Sequence, residues 1–224
     1  MVSIIVPLYN EENVLLKNSA RFEGLSRAGE LIFSDGASSD RSVDIAGKHG
    51  KVVYAPIGRA AQMNQGAFHA KGDILLFLHA DTIIAPDSLA AIEKSIIEDG
   101  FIGGCFTQEI DNNAFIYRLI AGQGNLRARL SKEFYGDQGI FVKKDAFLSI
   151  GGFPEVPILE DVLFTRKLRD RGKTIVLADK ILVSARRWEN NGVIRTAVLY
   201  NLIIILFRLK VPLHKIKRLY EDLR

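Results

Sequence analysis

The run Ile74-Leu75-Leu76-Phe77-Leu78 ends in His79-Ala80-Asp81, so an apolar segment delivers an imidazole and a carboxylate to its C-terminal end. An apolar run without alternation fits a strand covered on both faces, and open α/β sheets keep their chemistry at the C-terminal ends of such strands. Asp81 is therefore the candidate metal ligand. A hard Mg2+ or Mn2+ ion would take its carboxylate together with diphosphate oxygens and water. The same aspartate also suits a plain turn ahead of Pro86.

Three more segments pair chemistry with the ends of apolar runs. Pro7-Leu8-Tyr9-Asn10-Glu11-Glu12 follows the first run, where Tyr9 can flank a flat base and Glu11 can accept hydrogen bonds from a base edge or a ribose. Equally, Asn10 suits a helix cap and the two glutamates favour a helix N-terminus. Ser34-Asp35-Gly36-Ala37-Ser38-Ser39-Asp40 closes the second run, and Asp35 there can accept the N3–H of a uracil ring, although Asp-Gly and Ser-Ser-Asp are also turn and cap chemistry. Gly58 and Arg59 open a helix of small residues running through Asn64, an arrangement suited to a diphosphate. Neither GxxxxGKS/T nor GxGxxG occurs, which disfavours a P-loop NTPase or a Rossmann dehydrogenase. Glu160-Asp161 follows the Gly151-Gly152-Phe153-Pro154 turn, so two carboxylates stand at a helix start, one of them a candidate general base.

These residues need a scaffold that brings strand ends together. The pattern predicts strands at 3–7, 30–34, 51–55 and 73–78 alternating with helices at 12–27, 40–49, 60–70 and 87–99, hence a mostly parallel sheet with helices on both faces. Beyond Gly100 it predicts strands at 103–110, 139–143, 175–177 and 181–183, helices at 115–130 and 160–171, and basic C-terminal helices. No linker or repeat interrupts the chain. It reads as one domain over 1–224, with a nucleotide half (1–100), an acceptor half (101–190) and C-terminal helices (191–224).

At 224 residues, 48% hydrophobic and 25% charged, the chain is long enough for one large core and too apolar for disorder. Its single cysteine, Cys105, rules out an internal disulfide and reads as a small core residue. The opening Val2-Ser3-Ile4-Ile5-Val6 lacks a basic leader, which predicts a cytosolic protein. The stretch Leu202-Ile203-Ile204-Ile205-Leu206-Phe207, between Arg195 and Arg208, is too short to cross a bilayer. It suits either a helix packed on the domain or one resting at the inner face of a membrane.

In combination these segments resemble family 2 glycosyltransferases of the GT-A fold. Residues 4–11 are similar to that family's opening strand and loop, Asp35-Gly36-Ala37-Ser38-Ser39-Asp40 to its DGSxD segment, and Asp81 to the last acid of its DxD. Residues 139–147 with Gly151-Gly152-Phe153 resemble the segment ahead of the acceptor site, and Glu160-Asp161 resembles the ED motif. Ser184-Ala185-Arg186-Arg187-Trp188 resembles QxxRW with Ser184 in place of glutamine.

The resemblance implies an α/β fold of GT-A type, with a mostly parallel, mixed central sheet and helices on both faces. It implies inverting transfer of a sugar from a nucleotide-diphosphate donor, by family habit a UDP-sugar, to a hydroxyl on a small-molecule or lipid-linked acceptor, assisted by Mn2+ or Mg2+. Carried over, Asp161 is the base with Glu160 beside it. Pro7, Tyr9, Glu11, Asp35, Arg59, Asn64, His79, Ala80 and Asp81 face the donor, and Arg187 and Trp188 the acceptor. Nucleic acid is not among the implied partners.

His79 replaces the first acid of the DxD, and the long transmembrane segments of polymerising members are missing, so processive synthesis is not implied. The segments 79–82 and 186–188 look most like a small bacterial subgroup associated with radical-SAM or arsenosugar-synthesis proteins. Rival readings remain. A nucleotidyltransferase on a related sheet would normally carry a Gly-rich basic loop where this chain has Tyr9-Asn10-Glu11. A haloacid-dehalogenase phosphatase would need an aspartyl nucleophile where His79 stands. A nucleotide-sugar-binding or membrane-surface protein without turnover is the non-enzymatic alternative.

Overall fold

The computed structural model describes residues 1–221, apart from the side chains of Arg187 and Glu221. Its first half is laid down by parallel steps. β1 (Val2–Leu8), β2 (Glu30–Asp35) and β3 (Lys51–Tyr54) are joined through α1 (Glu12–Lys17), α2 (Ser19–Ala28) and α3 (Ser42–Ala46). α4 (Arg59–His69) then carries the chain back across to β4 (Ile74–Phe77), which pairs with β1 on the side away from β2. The order β3-β2-β1-β4 thus changes direction at β1, leaving a crevice at the C-terminal ends of β1 and β4.

The second half contributes β5 (Thr82–Ile83), α5 (Ser88–Ile97), β6 (Gly103–Ile110), α6 (Phe115–Ser131), a 3-10 turn at Gly136–Gln138, β7 (Ile140–Lys143) and α7 (Lys144–Ile150). α8 (Glu160–Arg169), β8 (Thr174–Val183), α9 (Arg186–Asn191), α10 (Val193–Arg208) and α11 (Leu213–Glu221) complete the order. The eight strands form one mixed sheet, β3-β2-β1-β4-β7-β6-β8-β5. β7 runs antiparallel to β4 with Ile140 opposite Phe77, so the turn that precedes β7 lies at the end where β4 finishes.

Helices cover both faces, as the apolar strands require. Along β1, Ile4, Val6 and Leu8 enter one buried cluster with Phe22, Phe33 and Leu76, while Ile5 enters another with Ile32, Leu75 and Phe77. The second cluster includes an aromatic knot. Phe153 meets Phe77 at 4.8 Å and Phe164 at 4.4 Å between ring centroids, which seats α8 beneath β4. Such pairs add to simple area burial.

Three expected elements differ. The helix expected over 12–27 breaks at Asn18, whose side-chain amide donates to the Val14 carbonyl at 3.0 Å and so competes with the helix ladder. The helix expected over 40–49 contracts to the five residues of α3. The two short strands expected at 175–177 and 181–183 are one strand, β8, held along β6 with a register shift between Cys105 and Thr107.

Candidate active site

Two loops at the ends of β1 and β2 interlock. Leu8 lies in register with Asp35, and the Gly36 N–H donates to the Leu8 carbonyl at 2.9 Å. Beyond that pair, Asn10 adopts φ +53°, a left-handed conformation that asparagine tolerates. Its Oδ1 accepts from the Ser39 N–H at 2.8 Å, while its own N–H donates to Ser38 Oγ at 2.9 Å. The Glu11 N–H donates to Ser42 Oγ at 2.8 Å and the Glu12 N–H to Asp40 Oδ2 at 3.1 Å. The first amides of α1 are thus satisfied from the neighbouring loop, and Asn10 does not cap its own helix.

Asp35 lies at the base of this pair of loops, 1% exposed, with Oδ2 accepting from the Ser38 N–H at 3.0 Å. Its Oδ1 is buried and has no hydrogen-bond partner among the described residues. Tyr9 stands above, 52% exposed, with Pro7 half-buried beside it. Buried Gln62 of α4 braces the pair from below, its Nε2 donating to the carbonyls of Leu8 and Ser34. A Cβ at Gly36 would come within 2.8 Å of that amide. Gln62 was not among the sequence candidates.

The end of β4 is organised differently. Thr82 closes the 79–82 turn, its Oγ1 donating to the His79 carbonyl at 2.9 Å. Arg21 of α2 grips the turn from outside, Nη2 donating to the Ala80 carbonyl at 2.9 Å and Nη1 to the Thr82 carbonyl. Burial pulls the Arg21 pKa down to about 10, against the charge of Asp81, which raises it. Arg21 has no motif around it; only the fold shows its role.

Gly136 is the meeting point of this turn and α8. Its N–H donates to Asp161 Oδ2 at 2.7 Å, and the Val162 N–H donates to Oδ1 at 2.7 Å. From the point a Gly136 Cβ would occupy, His79 Nε2 is 2.8 Å away and Asp161 Oδ2 3.6 Å away. The imidazole expected near a metal and the carboxylate expected to act as base therefore flank one glycine. Burial, then the Glu160 charge, pushes the Asp161 pKa up to about 6, with the Gly136 N–H, Arg59 and the Val162 N–H pulling the other way. Arg59, at the start of α4, reaches Glu160 Oε1 at 3.7 Å, which brings the expected diphosphate cation to the same edge.

Two sequence candidates are engaged in packing. Asn64 spends its amide on Phe153, Nδ2 donating to its carbonyl and Oδ1 accepting its N–H, each at 2.9 Å, so it acts as a strut between α4 and the loop before α8. Trp188 is half-buried, edge-on to Tyr200 with centroids 5.3 Å apart, and packs on the Ile110, Tyr117, Ala121 and Ala185 cluster. The Arg187 side chain lies outside the described residues. Cys105 is buried, as expected, and burial raises its thiol pKa.

A divalent ion at 79–81 would have to take most of its ligands from its substrate and water. One imidazole and one carboxylate share the turn, and no group of three His, Cys, Asp or Glu able to hold a metal occurs among the described residues.

The sequence profile of Glycosyl transferase family 2 matches residues 3–151. An undecaprenyl-phosphate 4-deoxy-4-formamido-L-arabinose transferase of Edwardsiella ictaluri is 24% identical over 155 residues, 63% of this chain and 48% of that protein. The Pseudomonas aeruginosa protein of that name is 27% identical over 128 residues, 51% of this chain and 38% of its own length. The chain spans about half the length of the curated relatives it matches, or less. Among solved structures, the mannosyltransferase PcManGT of Pyrobaculum calidifontis with GDP-Man and Mn2+ aligns with a TM-score of 0.66 at 21% identity, covering 81% of this chain and 56% of that one. S. aureus TarS 1-349 with UDP-GlcNAc aligns at 0.64 and 19% identity, covering 82% and 58%. Both share the GT-A glycosyltransferase fold with this chain.

Proposed function

The chain belongs to glycosyl transferase family 2, and from that premise we propose that it transfers a sugar, with inversion, from a nucleotide-diphosphate donor to a hydroxyl acceptor. The observation that carries this reading is the junction at Gly136, where Asp161 Oδ2 accepts the backbone N–H at 2.7 Å and the His79 ring stands on the other side. A base and a leaving-group site are thereby held within one substrate's reach.

Tyr9, Pro7 and Glu11 flank the nucleoside, and the partnerless Oδ1 of Asp35 accepts from the base edge; a UDP-sugar supplies such a donor as the uracil N3–H. His79 and Asp81 would hold Mn2+ or Mg2+, which when bound supplies positive charge to the leaving diphosphate. Arg59 adds a cation that strengthens its hold as charge builds there.

Asp161 takes the acceptor's proton as the acceptor oxygen bonds to the anomeric carbon and the bond from that carbon to the diphosphate breaks. A carboxylate raised to about 6 is still mainly ionised at neutral pH yet basic enough to share the proton in the transition state. Glu160 sustains that raised value and restrains Arg59. Lipid-linked acceptors enter this proposal because the relatives' names include undecaprenyl phosphate, whose accepting atom would be a phosphate oxygen in place of a hydroxyl. The narrower subgroup placement rests on residues 79–82 and 186–188 alone.

Asp161→Asn tests the assignment. Transfer should fall by roughly 100-fold or more while nucleotide binding persists, the scale of a lost general base. Wild-type activity should rise with pH through about 6 as Asp161 ionises, a limb the variant lacks. Near-normal turnover by the variant would remove Asp161 from the role. Stability reports separately: a carboxyl with a raised folded pKa costs stability as pH climbs from its unfolded value through about 6. The melting-temperature difference should therefore shift in the variant's favour between pH 4 and pH 7.

A further inference from the structure

α6 and α10 expose two apolar stripes that packing does not account for. On α6, Phe115, Leu119, Leu126 and Leu130 recur at helical spacing and are all exposed, Leu130 at 77%. On α10 and its C-terminal cap, Ile194, Val198, Leu202, Ile205 and Leu209 do the same from a helix start just after Gly192, Ile194 at 76% exposed. Only Thr196 and Ile203 of α10 are fully buried.

The stripes lie side by side. Val193 packs on the cluster that contains Tyr117 and Ala121, and Gln123 donates to Asn201 Oδ1 at 3.2 Å. Further along, Phe207 lies under Arg166 at 4.5 Å, and Arg166 pairs with Glu133 at 2.7 Å, just past the end of α6. The two helices thus run together in the same direction. At 100° per residue, Arg118 and Arg129 fall along one edge of the α6 stripe, and Arg208 and Arg195 fall along the two edges of the α10 stripe. All four arginines are exposed.

A paired apolar face of this extent marks a binding surface. Its charges select the occupant: a second copy of the face would set arginine against arginine, whereas an anionic bilayer accepts apolar stripes at its acyl boundary and cationic margins among its headgroups. We propose that the α6/α10 face docks this protein peripherally on an anionic lipid bilayer. The basic side of α11, with Lys215, Lys217 and Arg218 exposed, extends the attraction, and from residue 186 onward the sequence holds nine Lys and Arg against three acids. No helix among the described residues is long and apolar enough to cross a membrane, so the contact lies in the interface plane. Half of the surface belongs to α6, outside the C-terminal helices that the sequence singled out. This surface does not depend on the sugar-transfer reading, since a protein without turnover would dock equally.

The test is co-sedimentation with phosphatidylglycerol/phosphatidylcholine vesicles and with phosphatidylcholine alone, comparing the wild type with Leu126→Glu/Ile205→Glu. Both positions are exposed, so the melting temperature should hold. The wild type should pellet with anionic vesicles and more weakly with neutral ones, and the double variant should lose about tenfold or more in partitioning. The proposal is overturned if the wild type stays in the supernatant with anionic vesicles or if the double variant binds them equally. A wild-type dimer by light scattering that the double variant converts to monomer would give the face to a second copy instead.

Discussion

The loop pair at the ends of β1 and β2 and the His79–Gly136–Asp161 junction share one rim of one sheet but are held by opposite means. Residues 7–12 and 35–42 meet through short bonds between adjacent strand ends, the backbone amides of Asn10, Glu11, Glu12 and Ser39 matched by a serine, aspartate or asparagine of the other loop. Apart from the Gln62 amide that braces it from α4, this loop pair is held by its own two segments. Around His79, Gly136 and Asp161 the partners arrive from distant elements: Arg21 from α2, Glu160 and Asp161 from α8, Arg59 from α4. Burial works against ionisation at both Arg21 and Asp161. The first region is organised for shape, while the second carries electrostatic strain of the kind that catalytic sites retain at a cost in stability.

After Asp161→Asn, the sharpest way to break this contrast is Gly136→Ala. The added methyl would press on His79 and crowd Asp161, so transfer should drop roughly 10- to 100-fold, the scale of a misplaced reacting group, with metal-free nucleotide affinity preserved in a calorimetric titration. Arg21→Ala comes next. Two carbonyls of the 79–82 turn lose their donor, which should cost about 1–3 kcal/mol in chemical denaturation and weaken Mn2+-dependent donor binding, while leaving metal-free nucleotide binding near wild type. The smallest effect belongs to the interlocked loops. Asn10→Ala removes one acceptor among several and should cost about 1 kcal/mol, with the left-handed backbone adding to it and Asn10→Gly recovering that part. If Asn10→Ala abolished nucleotide binding altogether, the loop pair would not be held by several bonds that act independently.

Local pattern made the strand ends legible. β6 begins and ends at the residues the sequence indicates, and the apolar runs of β1 and β4 are buried on both faces as their lack of alternation requires. Competition inside an element was harder to see. Asn18 splits a helix through its own side chain, and Ala178-Asp179-Lys180 resembles a turn until β6 is alongside to pair with it. The two-residue β5 and the seven-residue α7 are too short to show a period. In the site, residues at strand ends could be read, but not what steadies them. Arg21 binds carbonyls 59 and 61 positions away, and Gln62 braces loops 28 and 54 positions away, contacts that no spacing rule encodes. Asn64 and Trp188 show the reverse: residues of suitable chemistry whose side chains the fold uses for packing.

The reversed direction of β7 has a practical outcome for how such a protein can diversify. Because the chain re-enters the sheet at the rim instead of at its far side, the excursion from the end of β6 through α6 to Gly136 leaves from one strand end and returns beside the end of β4. On the sugar-transfer reading proposed above, the exposed part of that excursion can be rewritten to suit a new recipient molecule while β7 and the packing of Phe147 and Phe153 on Phe77 stay in place, so one half of the reaction can be conserved while the other is exchanged.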